Sequence, residues 1–171
     1  MPIITAQEQT SNCNMLLQLK DFNEVFEFVK SSVNSIYEMK RAGLSLMLHR
    51  MPTRVGAYHV LGSNVIAVNS ILLDLVKKYS TSNDEYNSYL FMVLLHEYLH
   101  SFGILDEHKV RQMSLELCEK FFGEKRTVTV MAEDPLKIFP QLGLVSYDKF
   151  EFENKYEIIK NFDNSNQTYI Q

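Results

Sequence analysis

Phe22, Val25, Phe26, Val29, Val33, Ile36 and Tyr37 recur at helical spacing. They follow Asp21 and Glu24, which stand as a capping box. The pattern predicts a helix from 21 to about 41, closed by Gly43. Residues 44–49 alternate weakly and read as a strand, with Met51-Pro52 ending it. Residues 54–60 and 65–69 are two further short strands, joined by the turn-forming Leu61-Gly62-Ser63-Asn64. Asn69 or Ser70 caps a helix through about 79, with Ile71, Leu72, Leu75 and Val76 inward. After the polar loop 80–83, Ser82 and Glu85 form another capping box and open a helix rich in apolar residues. Beyond Asp106, Val110, Met113, Leu117 and Phe121 mark a long helix to Phe122, stopped by Gly123. Residues 126–131 are β-prone and run into a turn ending at Pro135. Phe150, Phe152, Tyr156 and Ile158 alternate with charges and predict a strand over 149–158 with one exposed face. The polar segment 6–14 and the Asn-, Gln- and Ser-rich tail from Asn161 are expected to be loose.

One helix carries chemistry. The run Tyr89-Leu90-Phe91-Met92-Val93-Leu94-Leu95 is apolar enough to be buried, and His96-Glu97-Tyr98-Leu99-His100 follows it. Histidines four apart on a helix share a face, so their imidazoles can converge on one cation, and neutral imidazole suits zinc. Glu97 points away from them but stays beside the metal, placed to take a proton from water there. Gly103 stops the helix. The plain alternative is a buried helix with two core histidines, but a buried Glu without a partner is costly.

The stretch His96-Glu97-Tyr98-Leu99-His100-Ser101-Phe102-Gly103-Ile104-Leu105-Asp106 resembles the zincin metallopeptidase signature, in the metzincin-type extension with Asp in place of the third His. The resemblance implies zinc held by His96, His100 and Asp106, with Glu97 as catalytic base and a peptide or protein as substrate. It also implies an edge strand above the active helix, for which Gly56-Ala57-Tyr58-His59 is the candidate; an ordinary hairpin explains the same residues. A methionine turn would fall at Met131, where a core methionine is the simpler reading. Tyr147 or Tyr156 are candidates to stabilise an oxyanion. Cys13 does not match the inhibitory-cysteine motif of latent metzincins.

The third ligand has competitors. Asp106 directly precedes a helix and is an excellent N-cap. His108 is a softer ligand at a departing spacing. Glu116 or Glu119 would serve in a gluzincin-type peptidase, or in the related metallopeptidase-like regulators that cleave one transcription factor. A third reading is a non-catalytic binding module with a zinc-stabilised core, against which the intact Glu97 argues. His49 and His59 belong to no spaced motif and read as surface or sheet histidines.

Composition narrows the setting. At 171 residues, 46% hydrophobic and 22% charged, the chain suits a single globular domain over 1–171 with loose ends at 1–14 and 161–171. A net charge of −4 gives no reason to expect a nucleic acid or an anionic membrane as partner. Two cysteines make no disulfide framework. No apolar run approaches a membrane span and no basic start precedes an apolar stretch, so the expected location is cytoplasmic. The sequence leaves oligomeric state open. The expected fold is α+β and zincin-like: a small mixed sheet packed on the active-site helix, with further helices.

Overall fold

The computed structural model describes residues 2–145 and 155–163. It is an α+β fold, six helices with a four-stranded mixed sheet. The first helix, α1 (Ala6–Gln18), corrects the expectation of a loose start. Thr5 accepts from the Glu8 N–H at 3.2 Å and its own N–H donates to the Glu8 carboxylate at 2.7 Å, a complete capping box. The helix shows little apolar periodicity because its polar side chains do the docking. Gln9 donates to the Glu119 and Lys120 carbonyls at 3.3 and 3.0 Å, and Asn12 to the Phe121 carbonyl at 2.9 Å. Those carbonyls lie in the last turn of a later helix, where backbone acceptors outrun the helix's own donors.

Helix α2 (Phe22–Tyr37) starts where Asp21 accepts from the Glu24 N–H at 2.8 Å. It ends four residues short of the expected 41, because Glu38 turns left-handed at φ 55°. The following segment is instead tied elsewhere: the Arg41 N–H donates to the Tyr98 hydroxyl at 2.9 Å, which donates back to the Arg41 carbonyl at 3.1 Å.

Strands β1 (Ser45–His49), β2 (Ala57–His59) and β3 (Val65–Asn69) follow. The strand expected over 54–60 is thus cut to its last part. Asn69, fully buried, explains the irregular chain before β2: its amide donates to the Met51, Pro52 and Val55 carbonyls at 3.1, 3.2 and 2.8 Å. Its side-chain oxygen meanwhile caps α3 (Ser70–Tyr79) through the Ile71 N–H at 3.0 Å. Next come α4 (Asn83–His100), capped by Ser82, and α5 (Glu107–Phe122), capped by Asp106. Residues 126–131 are a correction: α6 (Thr127–Glu133) is a helix. Its Val128 and Met131 are buried three apart, so packing on a helical face overrides the β propensity of Thr-Val-Thr-Val. Met131 therefore lies within a core helix, not in a turn.

Strand β4 (Tyr156–Ile159) completes the sheet, in the order β2-β3-β1-β4. β1 runs parallel to β3, while β4 is antiparallel to β1 and β2 antiparallel to β3. The rest of the strand expected over 149–158, and Tyr147, lie outside the described residues. So does the tail from 164, but Phe162 and Asp163 correct the expected fraying from Asn161. Phe162 stacks on Phe26 with ring centroids 4.2 Å apart, and both residues are buried.

α4 is apolar nearly all round, as a central helix must be. Phe91 packs edge-on to Phe28 and Phe122, and Tyr98 edge-on to Phe26, each such pair adding about 0.5–1.5 kcal/mol beyond its buried area. This packing and the Arg41–Tyr98 bonds hold the end of α4 rigidly. Among the described residues, no helix is long and apolar enough to cross a membrane.

Candidate metal centre

The last turn of α4 ends in water-facing chemistry. His96 and His100 stand on one face, with imidazole centroids 4.8 Å apart. The chain then closes tightly: Gly103 takes φ 85° and its N–H donates to the His100 carbonyl at 2.9 Å. That left-handed step favours glycine, and it returns the chain so that the start of α5 faces the histidines.

The residue delivered there is Glu107, not Asp106. The Asp106 carboxylate accepts from the His108 and Lys109 N–H groups at 2.9 and 3.2 Å, occupied as an N-cap. Glu107 reaches the His96 Nε2 at 3.1 Å and the His100 Nε2 at 2.9 Å, while the two Nε2 atoms are 3.1 Å apart. The other candidates are not brought in. His108 is exposed outside the cluster, Glu116 is paired with Lys120, and Glu119 lies at the far end of α5. The motif spacing counted to the capping residue. The usable signal was the cap itself: an Asp committed to its helix leaves the Glu beside it free to face the histidines.

These donors fit a metal. Ligand atoms about 2.0–2.1 Å from a tetrahedral zinc stand roughly 3.3 Å from one another; here the two Nε2 atoms are 3.1 Å apart, each is 3.1 or 2.9 Å from a different oxygen of the Glu107 carboxylate, and one atom from each residue lies within 4.8 Å of the others. The His100 Nδ1 is 2.7 Å from the Ile104 carbonyl, an acceptor only, so Nδ1 carries the proton and Nε2 keeps its lone pair for the cluster. Burial lowers the His96 pKa, outweighing the opposing pull of Glu107, and favours its neutral, ligating form. A proton on the His96 Nε2 can bridge these contacts, and a divalent cation could take the same place.

Glu97 is 5% exposed. Burial, with the nearby Glu107 charge adding to it, pushes its pKa up to about 8. A cation in the cluster would draw that value down. Glu97, His100 and Glu107 line one side of a cleft of about 250 Å³, and Ala57, Tyr58 and His59 line the other. Among the described residues β2 is the edge of the sheet. Gly56 accepts from the Asn69 N–H at 3.0 Å and the Val60 N–H donates to the Val65 carbonyl at 3.4 Å. Bonding toward β3 therefore falls at 56, 58 and 60, which leaves the N–H and C=O of Ala57 and His59 facing outward.

His59 was legible only as a sheet histidine, yet it lines the cleft, with Nδ1 held 3.1 Å from the Val65 carbonyl. His49, at the end of β1, meets the Tyr58 hydroxyl at 3.4 Å. Tyr156 sits on β4, at the opposite edge of the sheet from the cleft. No family model, curated protein or solved structure matches the chain.

Proposed function

We propose that the chain is a zinc-dependent peptide hydrolase, with His96, His100 and Glu107 holding the metal and Glu97 moving the proton. The observation that supports it most is the convergence of three ligand-type atoms within 4.8 Å of one another, in a cleft shared with a buried carboxyl group. Zinc bound there would supply Lewis acidity, polarising a substrate carbonyl and making water more acidic. The outward N–H and C=O groups of Ala57 and His59 align an extended peptide by adding it to the sheet. Glu97 takes the proton of the attacking water, holds it on its carboxyl oxygen, and releases it to the amine nitrogen as the C–N bond breaks.

The metzincin-type assignment rested on Asp106. A glutamate from the helix after the motif favours instead the gluzincin-type arrangement, reached through Glu107 and not through Glu116 or Glu119. A cytoplasmic location belongs to the same proposal: Cys13 and Cys118 are free thiols, which a reducing compartment preserves.

The test is zinc content and cleavage of a peptide library, by wild type and by Glu97→Gln. The expected result is about one zinc per chain in both, by the three-ligand catalytic pattern, and cleavage by wild type alone. Equal cleavage by Glu97→Gln would end the mechanism. Zinc binding with no cleavage by either would favour the binding module.

A further inference from the structure

Leu61 and Leu105 are 67% and 59% exposed, and both line the cleft that holds Glu97. Leu61 lies in the turn between β2 and β3, next to Gly62 at φ 75°. Leu105 lies in the connection between α4 and α5, just before the cap of α5. Single exposed leucines are ordinary. Here two separate loops each leave a large aliphatic side chain in water, on the same opening. Leu61 is followed by the polar Ser63 and Asn64, whereas Leu105 closes a short, largely apolar connection before the Asp106 cap and is far more exposed than the half-buried Phe102 and Ile104 before it.

The rest of the cleft explains what the leucines would touch. A peptide added to the outward edge of β2 sends every second side chain toward the α4 side of the sheet. At about 250 Å³ the space falls below the roughly 300–1,000 Å³ of pockets that enclose whole small ligands. It matches one large side chain together with its backbone. Glu107 lines the same space, and its carboxylate disfavours an acidic side chain.

We propose that Leu61 and Leu105 are the specificity-determining residues of this site, selecting an extended peptide with a large apolar side chain, aliphatic or aromatic, at the cleft. The hydrolase reading above makes that residue a neighbour of the cleaved bond. Selection in binding stands without turnover.

The experiment uses octapeptides identical except for one central residue: Leu, Phe, Ser, Lys or Asp. Their binding to zinc-loaded Glu97→Gln protein is read by fluorescence anisotropy, and their cleavage by wild type is read by mass spectrometry. The Leu and Phe peptides should bind about tenfold or more tighter than the Ser and Asp peptides, the discrimination a small apolar pocket can give. Adding Leu61→Ser or Leu105→Ser to the Glu97→Gln protein should each weaken the Leu peptide about three- to tenfold. The Ser peptide, zinc stoichiometry and melting temperature should stay unchanged, since both side chains are largely exposed. Leu61→Lys should raise binding of the Asp peptide. Binding of all peptides within a factor of two, a lead by the Lys peptide, serine variants that bind like their parent, or no measurable binding would each overturn the inference. Cleavage without apolar preference would overturn it while leaving the hydrolase reading intact. Apolar-selective binding without cleavage would do the reverse.

Discussion

Asp163 and Glu97 are both carboxyl groups withdrawn from water, 9% and 5% exposed, and their surroundings differ in kind. Asp163 is compensated on both oxygens. It accepts from the Lys30 ammonium at 2.7 Å on one, and from the Gly43 and Leu44 N–H groups at 2.9 and 3.1 Å on the other. It ties β4's trailing residues to α2 and to the chain entering β1. Glu97 gains no side-chain cation from the described residues, and burial, with the Glu107 charge beside it, pushes its pKa up to about 8. A folded chain gains nothing from leaving a buried acid in that state. One carboxylate is placed for the fold, while the other is the group that the proposed hydrolase would use to move a proton.

The comparison breaks most sharply on activity. Glu97→Gln should lower peptide cleavage by about 10²–10⁴-fold, the usual reach of a positioned proton-transfer group, while its melting temperature holds or rises. Asp163→Asn should leave cleavage per folded molecule near wild type. Steady-state kinetics with thermal melts on both variants checks it. Loss of stability in Glu97→Gln comparable to that in Asp163→Asn would mean the two carboxyls are alike after all.

Metal affinity sharpens the site half. Glu107→Gln should weaken zinc at least about a hundredfold, more than the loss of an outer-shell partner costs, and His100→Ala should abolish stoichiometric binding. Asp106→Asn should bind zinc like wild type, because Asn still caps α5. Competition with a chromogenic chelator reads all three. Wild-type affinity in Glu107→Gln with a loss in Asp106→Asn would return the third ligand to Asp106.

That pair of neighbours shows what the sequence could tell. Where a local device marks a helix end, the elements were legible: Asp21, Ser82 and Asn69 cap the helices their positions suggested, and Gly123 ends α5. Helical spacing alone put His96 and His100 on one face, and the structure has their Nε2 atoms 3.1 Å apart, with His100 and Glu97 lining the cleft. Legibility failed where long-range bonds replaced local pattern. The polar Gln9 and Asn12 of α1 find partners over a hundred residues away, and α6 is helical because Val128 and Met131 have a core to face. Glu38, a residue that gains nothing from a left-handed turn, ends α2 early because Arg41 must meet Tyr98. Glu107 escaped because a spacing rule cannot tell a cap from a ligand one residue apart.

On the structural half, removing one partner of the buried pair should cost stability directly. Lys30→Met leaves the Asp163 carboxylate without its ammonium, at a cost of about 3–5 kcal/mol for a buried pair so broken. Urea unfolding measures it. Asp163→Leu in the same chain should recover part of that loss, since no lone charge then remains. A Lys30→Met protein as stable as wild type would show that the two backbone N–H groups alone satisfy Asp163.

The smallest effect is in pH. Burial by itself would lower the Lys30 pKa, but its contacts with Asp163 and Glu27 outweigh burial and hold it above the ordinary lysine value. A lysine held more tightly protonated in the folded state adds stability that is fully present below the unfolded value. That stability disappears as pH rises through the raised folded value. The pair should therefore contribute unchanged at pH 7 to 9 and fade only on the alkaline side of about 10.5, the ordinary lysine value. Unfolding free energies measured at pH 9 and above 11 should fall more steeply for wild type than for Lys30→Met, whose curve keeps only the background of other titrating groups. Identical slopes would show that Lys30 is no better held in the fold than in the unfolded chain. A difference appearing below pH 9 would place the responsible group elsewhere.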